Sequence, residues 1–459
     1  MPDRDDLDSW LDGRVDPLPP PPGTFELIKR RARRRKYRKL AITAGVAAAV
    51  VAAAVTVPQV VNLRVLPAPT SSNAAGAHSS SPTATGGGSA ASSSANALHS
   101  STAPPPVPAN FQPTSVTFVS TDAGWVIGQG GTPGHCATQY CTSVARTDNA
   151  GTTWTGVPAP LTGAPDGATG VGQIRFLDGE DGWAFGPELF ATHDGGQHWT
   201  RVGTNGMRVT DLETVGDRAF ALFASCSGGG PAFAGQCTRY TLYSSPASAN
   251  DWTPVGSSTG GLSGAAASLV LTGTRGYLLA PDGTLYAGPV GGSAPWRPVS
   301  RIPCAVGTAQ PDGQPAGALL AAANATNLMS ACLSAPALGG LQKKLIFASA
   351  DGGSSWHRIE PVTAGPAAVA PAAGLATSLA ASPAGTVVLG TNRGIDVLPA
   401  GSTSWQHAAV TDTPAGGFTF VGMTTNTQGV AIPADAAAGT VWFTFDGGQT
   451  WRPSSVSSQ

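Results

Sequence analysis

The stretch that decides the fold runs from Gly182 to Trp199 and reads GWAFGPELFATHDGGQHW. Its second half fits the pattern [ST]-x-[DN]-x-G-x-x-W, which occurs four times in the chain. An Asp or Asn can accept main-chain N–H bonds within its own turn, and Gly adopts backbone angles closed to other residues. The Trp then packs the turn against the next strand. The four copies are Thr147, Asn149, Gly151 and Trp154; Thr192, Asp194, Gly196 and Trp199; Ser349, Asp351, Gly353 and Trp356; and Thr444, Asp446, Gly448 and Trp451.

Three weaker copies keep the Trp and lose the acid, which gives seven anchor tryptophans at 154, 199, 252, 296, 356, 405 and 451. The intervals are 45, 53, 44, 60, 49 and 46 residues, in the range of about 40 to 50 residues of four-stranded propeller blades. Apolar strands led by glycine, such as GWVIG at 124–128 and GYLLA at 276–280, precede the turns. The sequence therefore predicts an all-β fold, a seven-bladed β-propeller over 112–455; the alternative is a β-sandwich with coincidental tryptophans.

Composition agrees with many short strands joined by turns. Charged residues make up 12 % of the 459 residues, whereas there are 60 glycines and 39 prolines. Few segments have the pattern of an amphipathic helix, and this glycine and proline content suits many short strands joined by turns.

The N-terminal region predicts a membrane anchor. Nine Lys and Arg residues lie within 29–39, an uncharged stretch of 24 residues follows over 40–63, and after Arg64 no charge occurs until Asp122. A helix of about 20 apolar residues spans a bilayer, and the basic flank stays inside. A cleaved signal peptide, a buried helix and a nucleic-acid-binding arm are the alternatives; the long n-region and the adjoining apolar stretch argue against them.

The predicted order of segments is a basic cytoplasmic tail over 1–39, a transmembrane helix over 40–63, a disordered Ser/Ala/Pro-rich linker over 64–111 and the propeller over 112–455. The charge divides in the same way: residues 1–64 hold 12 Lys and Arg against 7 Asp and Glu, and the rest hold 14 against 20. We therefore expect a single-pass protein of the cell membrane with an extracytoplasmic propeller and no nucleic-acid partner.

All six cysteines fall in the predicted outer domain, as expected for an oxidising compartment. The blade map places two of them in the loop between the second and third strands of blade 1 and two in that loop of blade 3. The last two flank the first strand of blade 5. This predicts disulfides between Cys136 and Cys141, Cys226 and Cys237, and Cys304 and Cys332; a zinc site is the alternative, without a second short pair to support it.

The repeated turn is the BNR or Asp-box pattern, and about 345 residues resemble proteins that carry it. These are sialidases and other glycoside hydrolases, sortilin-type receptors, and the photosystem II assembly and stability factor family. Residues 173–199, QIRFLDGEDGWAFGPELFATHDGGQHW, are most similar to repeats of the last family, whose relatives act by binding protein partners. The Ala/Ser/Gly-rich linker and basic tail resemble those of actinobacterial membrane proteins.

The resemblance to sialidases implies an Arg-Ile-Pro motif, three arginines, a Tyr nucleophile with a Glu partner and an Asp acid/base. The nearest motif is Ser300-Arg301-Ile302-Pro303, which lacks the preceding aromatic and lies in mid-propeller, so Arg301 is a weak catalytic candidate. His193 and His198 flank Asp194 at variable turn positions, and Lys343-Lys344 is expected at a solvated hairpin tip. No cofactor or metal signature is present in the sequence.

These observations predict a non-catalytic scaffold that binds a protein or a cell-surface glycan through one propeller face or the central channel. The alternative is an exo-acting glycosidase of sialidase type. A channel lined by three arginines and a tyrosine would favour the enzyme, and one lined by small apolar and polar residues would favour the binding module.

Overall fold

The computed structural model describes residues 106–130, 141–162, 170–226, 237–256, 268–280, 282–291, 294–304, 317–334, 342, 344–359, 374–435 and 439–457. These residues all belong to one compact unit, Ala97–Gln459. The predicted tail, transmembrane helix and most of the linker lie outside them. Within the described ranges no helix has the length and apolar character needed to cross a membrane.

The described residues form seven antiparallel sheets, each built from four strands that are consecutive in the sequence. The strands are, in blade 1, β1 (Gln112–Phe118), β2 (Gly124–Gly130), β3 (Cys141–Thr147) and β4 (Thr155–Val157); in blade 2, β5 (Val171–Phe176), β6 (Asp181–Pro187), β7 (Leu189–His193) and β8 (Thr200–Arg201); in blade 3, β9 (Arg208–Val215), β10 (Arg218–Cys226), β11 (Cys237–Pro246) and β12 (Thr253–Pro254); in blade 4, β13 (Ser268–Leu271), β14 (Arg275–Leu279), β15 (Thr284–Pro289) and β16 (Arg297–Arg301); in blade 5, β17 (Ala318–Ala322), β18 (Leu328–Leu333), β19 (Lys344–Ser349) and β20 (His357–Arg358); in blade 6, β21 (Ala376–Ala381), β22 (Val387–Thr391), β23 (Gly394–Leu398) and β24 (Gln406–His407); and in blade 7, β26 (Phe418–Met423), β27 (Gly429–Pro433), β28 (Thr440–Thr444) and β29 (Thr450–Ser455), with β25 (Ala409–Val410) beside β29.

The seven sheets are arranged as the blades of a propeller. The first strand of each blade contacts the first strand of the next, from β1 through β5, β9, β13, β17 and β21 to β26, and β1 also contacts β27. We call these seven first strands the innermost strands. The predicted order of strand, glycine-led strand, strand, turn and outer strand is confirmed, and so is the seven-bladed all-β fold.

The hydrophobic core lies between adjacent blades because both faces of most strands are covered. The second strands show this best: β22 and β27 are buried at all five positions. Six clusters of buried apolar side chains in the described residues each draw on two consecutive blades. Between blades 1 and 2, for example, Trp125 stacks on Phe176 with ring centroids 3.9 Å apart. Each blade is therefore stabilised by its neighbours rather than by a core of its own.

The ring closes through side chains between blades 7 and 1. Phe118 meets Phe443 edge to face at 5.6 Å, and Gln428 Nε2 donates to Thr121 O at 2.6 Å. Val107 and Phe111 are buried in the same cluster. These two residues fall inside the predicted linker of 64–111, so packing against the propeller begins before the predicted boundary at 112. Both are apolar residues in a Pro-rich segment. The segment lacks the alternation of apolar and polar residues typical of a strand, so the sequence does not predict their burial.

Blade 7 carries one additional strand. Residues 409 and 410, from the connection between blades 6 and 7, pair in parallel with Thr450 and Trp451 of β29. This short strand covers the outer edge of blade 7, where unpaired main-chain groups would otherwise be exposed.

Two of the three predicted disulfides are present. Cys226 and Cys237 join the ends of β10 and β11, and Cys304 joins Cys332 of β18, linking the end of blade 4 to blade 5. The third predicted pair involves Cys136, which lies outside the described residues. The propeller therefore contains disulfide bonds, as the even cysteine number suggested.

The four repeated turns share one hydrogen-bond pattern between the third and fourth strands of their blades, and we call them the box turns. The hydroxyl of the first residue donates to the acid at 2.8–3.0 Å and accepts the N–H of the glycine at 2.8–3.0 Å. The side-chain oxygen of the Asp or Asn accepts another main-chain N–H, that of the residue four positions later, at 2.9 Å in every turn. Asn149 does this with its amide oxygen, so the turn needs an acceptor at this position and not a negative charge.

The box glycine also sets the distance to the preceding blade. A Cβ on Gly353 of blade 5 would lie 2.3 Å from Leu285 Cδ2 of blade 4, and one on Gly151 would lie 2.5 Å from the Phe443 ring of blade 7. A side chain at these positions would force the blades apart. The box turn is therefore a contact between blades as well as a local turn.

We expect Gly353→Ala to lower the free energy of unfolding more than Gly385→Ala. Both glycines have positive φ, 85° and 96°, and forcing alanine into that region costs about 1–2 kcal/mol. Only Gly353 faces another blade, because a Cβ on Gly385 has no atom within 4 Å. Overpacking adds roughly 1–3 kcal/mol at Gly353. Urea unfolding of the two variants measures the difference, and equal losses would show that the contact with Leu285 contributes nothing.

Candidate functional site

The predicted site residues divide into structural groups and accessible groups. All sixteen box-turn positions lie between the end of the third strand and the start of the fourth strand of their blades. Hydrogen bonds from Ser355 lower the pKa of Asp351 to about 2, which matches a carboxylate committed to its own turn. These acids cap turns, and the structure does not bring them together.

Arg301, the weak catalytic candidate, lies on β16, the outermost strand of blade 4. Its side chain is 61 % exposed and pairs with Asp282 at 3.1 Å. The neighbouring Ser300 Oγ accepts from Trp356 Nε1 at 3.2 Å and donates to Gly353 O at 2.5 Å, and Ile302 is buried in the core between blades 4 and 5. Ser300-Arg-Ile therefore supports the box turn of the next blade, and Arg301 is remote from the innermost strands.

The two histidines of the opening stretch each bind a carboxylate. His198 Nδ1 lies 2.6 Å from Asp194 Oδ2 within the turn, and His193 Nδ1 lies 2.7 Å from Asp181 Oδ1. Asn250 Nδ2 of blade 3 is 3.3 Å from His193 Nε2, so His193 connects two blades. Within the described ranges, no three His, Cys, Asp or Glu side chains are grouped to hold a metal ion.

Lys344 was expected at a solvated hairpin tip, and the structure corrects this. Its side chain is buried, and Nζ donates to Gly374 O at 2.5 Å and to Gln342 O at 3.2 Å. Burial lowers its pKa. A lysine next to a predicted turn reads as solvated in the sequence, but the start of blade 6 covers this one.

Side chains of the innermost strands bond to the main chain of the next innermost strand. Ser115 Oγ accepts the Ile174 N–H at 3.3 Å, Asp211 Oδ2 accepts the Leu269 N–H at 2.8 Å, and Ser378 Oγ accepts the Val421 N–H at 3.1 Å. These contacts join blades 1 and 2, 3 and 4, and 6 and 7. Polar groups in the channel wall thus hold blades together.

The innermost strands form a channel wall of mostly small apolar and polar residues, the composition that the sequence led us to associate with a binding module. Among the described residues, the innermost strands contain two arginines, Arg175 and Arg208, and no tyrosine. Small apolar and polar residues predominate, as in ALLAA of β17 and ATSLAA of β21. The three arginines and tyrosine of the sialidase pattern do not meet on these strands.

One ionic group lies in the channel wall, between blades 2 and 3. Arg175 Nε is 3.0 Å from Glu213 Oε1, and Arg175 Nη1 donates to Ser115 Oγ at 3.3 Å. Asp211 lies two residues before Glu213 on β9 and so on the same face of the strand. Burial, with the nearby Glu213 carboxylate as a second cause, raises the pKa of Asp211 to about 7. Its carboxyl thus accepts the Leu269 N–H and is partly protonated near neutral pH.

The accessible candidate is a groove on the outer part of blade 2, which we call the blade-2 groove. It consists of two cavities of about 520 and 710 Å³ that share Glu188 and Arg201. Arg201 Nη2 pairs with Glu188 Oε1 at 2.7 Å, and Thr162 Oγ1 donates to Glu188 Oε2 at 2.8 Å. These bonds fix an ion pair at the centre of the groove.

The walls of the blade-2 groove are largely apolar on the side of blade 1. They include Pro158, Ala159, Leu161 and Trp199, and the Leu161 side chain is 99 % exposed. Trp199 Nε1 donates to Pro158 O at 2.9 Å, which holds the indole against the wall. Apolar walls with few fixed polar groups are typical of binding sites.

Sequence reasoning missed Glu188 and Arg201. They lie 13 residues apart, and their pairing depends on the register of β7 and β8. Trp199 was identified, but only as the anchor of its turn. The exposed Leu161 follows Pro158, Ala159 and Pro160, a stretch that reads as an ordinary connection.

We expect the free energy of unfolding to fall as pH rises from about 4, the usual Asp pKa, to about 7, the pKa of Asp211. In this window the unfolded chain loses the Asp211 proton and the folded chain keeps it, so raising the pH favours unfolding. Asp211→Asn keeps an acceptor for Leu269 and should remove this part of the pH dependence. Urea unfolding at pH 5 and pH 8 tests this, and an unchanged pH dependence in the variant would contradict the assignment.

Comparisons with known proteins give a similarity of architecture. No protein-family model and no curated protein matches the chain. Among solved structures, a YCF48 bound to D1 peptide is 15 % identical over 74 % of this chain and 95 % of that chain, with a TM-score of 0.45. YCF48 from Cyanidioschyzon merolae is 14 % identical over 76 % and 89 %, TM-score 0.34, and the GH74 xyloglucanase from Xanthomonas campestris is 13 % identical over 74 % and 72 %, TM-score 0.28. The seven sheets themselves, rather than these similarities, establish the propeller.

Proposed function

We propose that the chain is a membrane-anchored, extracytoplasmic propeller that binds a protein or a cell-surface glycan and performs no catalysis. The observation that carries this proposal is the blade-2 groove, where a fixed Glu188–Arg201 ion pair is accessible beside an apolar wall. The charged group described in the channel wall, by contrast, links blades 2 and 3, and Asp211 bonds to blade 4. Among the described residues, the accessible blade-2 groove is therefore suited to binding a partner.

The membrane location rests on the N-terminal sequence. Residues 40–63 have the length and composition of a bilayer-spanning helix, and nine basic residues immediately precede them. In the proposed topology residues 1–39 are cytoplasmic and the propeller is outside, where disulfides such as Cys226–Cys237 persist.

We expect an epitope at the N-terminus to survive trypsin added to intact cells and to be lost after lysis. The nine Lys and Arg residues within 29–39 make the tail an efficient trypsin target wherever the enzyme can reach it. Proteinase K added to intact cells should release the propeller, because it cleaves after residues that the linker contains. Loss of the N-terminal epitope in intact cells, as judged by immunoblot, would refute the orientation.

A photo-crosslinking residue at position 197 should yield a discrete adduct in cells. Gln197 is exposed and lines the blade-2 groove, so a bound partner would lie within reach. Thr403 is also exposed and lies in a turn of blade 6, which makes position 403 the matched control. Adducts at 403 and none at 197, or equal labelling at both, would contradict a binding role for the groove.

The glycosidase alternative is tested on the full chain purified in neutral detergent. Fluorogenic sialic-acid and other aryl glycosides should show no turnover above a detergent blank. Turnover that is lost in Arg301→Ala would overturn the binding proposal and make Arg301 a substrate contact.

A further inference from the structure

A second groove, between blades 4 and 5, differs from the first in charge. It has a volume of about 510 Å³, and its lining contains Arg275 and Arg297 but no carboxylate. We call it the blade-4 groove. Both arginines lie without an ion-pair partner among the described residues, whereas Arg146, Arg175, Arg201 and Arg301 each pair with an acid.

Strand register brings the two arginines to one face of blade 4. Arg275 of β14 pairs with Pro289 of β15, and Arg297 of β16 pairs with Ala287 of β15. Directly paired residues point to the same side of an antiparallel sheet, and positions 287 and 289 share a face because side chains alternate. Both arginines therefore extend from the same face, and apolar residues separate them.

This face is the one that meets blade 5. Tyr277, two residues after Arg275, donates its hydroxyl proton to Ala325 O of blade 5 at 2.5 Å, and its ring lies 5.8 Å from Arg275 Cζ. Arg275 Nε is buried and has no hydrogen-bond partner. The Tyr277 ring thus holds the Arg275 guanidinium at the groove, and part of the hydrogen-bonding capacity of Arg275 is unused.

The described lining of the groove has no carboxylate, and the repeated turn of blade 4 has also lost its acid. Five residues before each box-turn Trp stands an acid or amide, and in blade 4 the residue five before Trp296 is Gly291. Blade 4 has thus lost the acid of its turn and carries two arginines nearby. Guanidinium groups bind carboxylates through paired N–H donors.

We propose that the blade-4 groove binds an acidic segment of a partner protein, with Asp or Glu side chains on Arg275 and Arg297. The groove, with a volume of about 510 Å³, is larger than a single small anion needs, and its lining also includes the apolar residues Ala287, Pro289 and Val299. Acidic side chains separated by apolar ones fit this alternation of charge and apolar wall. The proposal rests on the proposed binding role and names a second surface for it.

The test measures fluorescence anisotropy of two labelled peptides with the full chain in neutral detergent. One peptide alternates Glu with Val, and the other replaces each Glu with Gln. We expect the Glu peptide to bind at least tenfold more tightly than the Gln peptide, and less tightly as NaCl rises, since salt screens exposed charges.

Three single variants locate the site. Arg275→Gln and Arg297→Gln should each weaken the Glu peptide by tenfold or more, and Arg301→Gln, on the same strand as Arg297 but paired with Asp282, should stay within twofold of the parent. Arg297 is exposed, and its side chain makes no hydrogen bond or ion pair with the described residues, so its replacement leaves the fold intact even if Arg275→Gln does not. Arg297→Gln within twofold of the parent, or equal binding of the two peptides, would overturn the proposal.

Two further readouts separate the causes of failure. If inorganic phosphate at millimolar concentration displaces the Glu peptide completely, the groove is a general anion site and the proposal fails. If the arginine variants change nothing but the adduct at position 197 still forms, the blade-4 groove is excluded while the binding function stands.

Discussion

The contact between a box turn and the preceding blade is the constraint on which the propeller depends. A hydroxyl, an acid or amide oxygen and two N–H groups close the turn, and this places a glycine against a side chain such as Leu285 or Phe443. A four-stranded blade cannot bury both of its faces alone, so each blade needs its neighbour at a fixed distance. The turn supplies that distance at the outer part of the blade, and Ser115, Asp211 and Ser378 supply it near the axis.

The need for contacts between neighbouring blades also explains why the polar groups considered for chemistry in the described residues are used to join blades. Ser300 belongs to the motif that suggested catalysis, but it connects blades 4 and 5. His193, which pairs with Asp181, likewise connects blades 2 and 3. Arg175 and Glu213, which could have formed part of an active site, link blades 2 and 3. The groove that we propose for binding lies instead where a blade edge extends beyond its contacts, at Glu188 and Arg201.

The fold could be predicted because its signals are local. Thr192, Asp194, Gly196 and Trp199 fall within eight residues, and the pattern recurs at blade spacing. The two surfaces that we propose for binding could not be predicted in this way. The pairing of Glu188 with Arg201 and the shared face of Arg275 and Arg297 depend on strand register, which no short pattern in the sequence encodes.

The three blades without a box acid show how a repeat can gain a function. In blade 3 Ser245 Oγ donates to Ala249 O at 2.7 Å, and in blade 6 Ser402 Oγ accepts the Ser404 N–H at 3.0 Å, so serines take over part of the hydrogen bonding in these turns. In blade 4 Gly291 replaces the acid, and Trp296 still packs beneath Gly276 and Gly288. The packing that the ring needs is thus kept by the Trp alone. Arg275 and Arg297 line the groove beside this turn, where the described lining residues include no carboxylate, and this is why we propose that they bind one on another molecule.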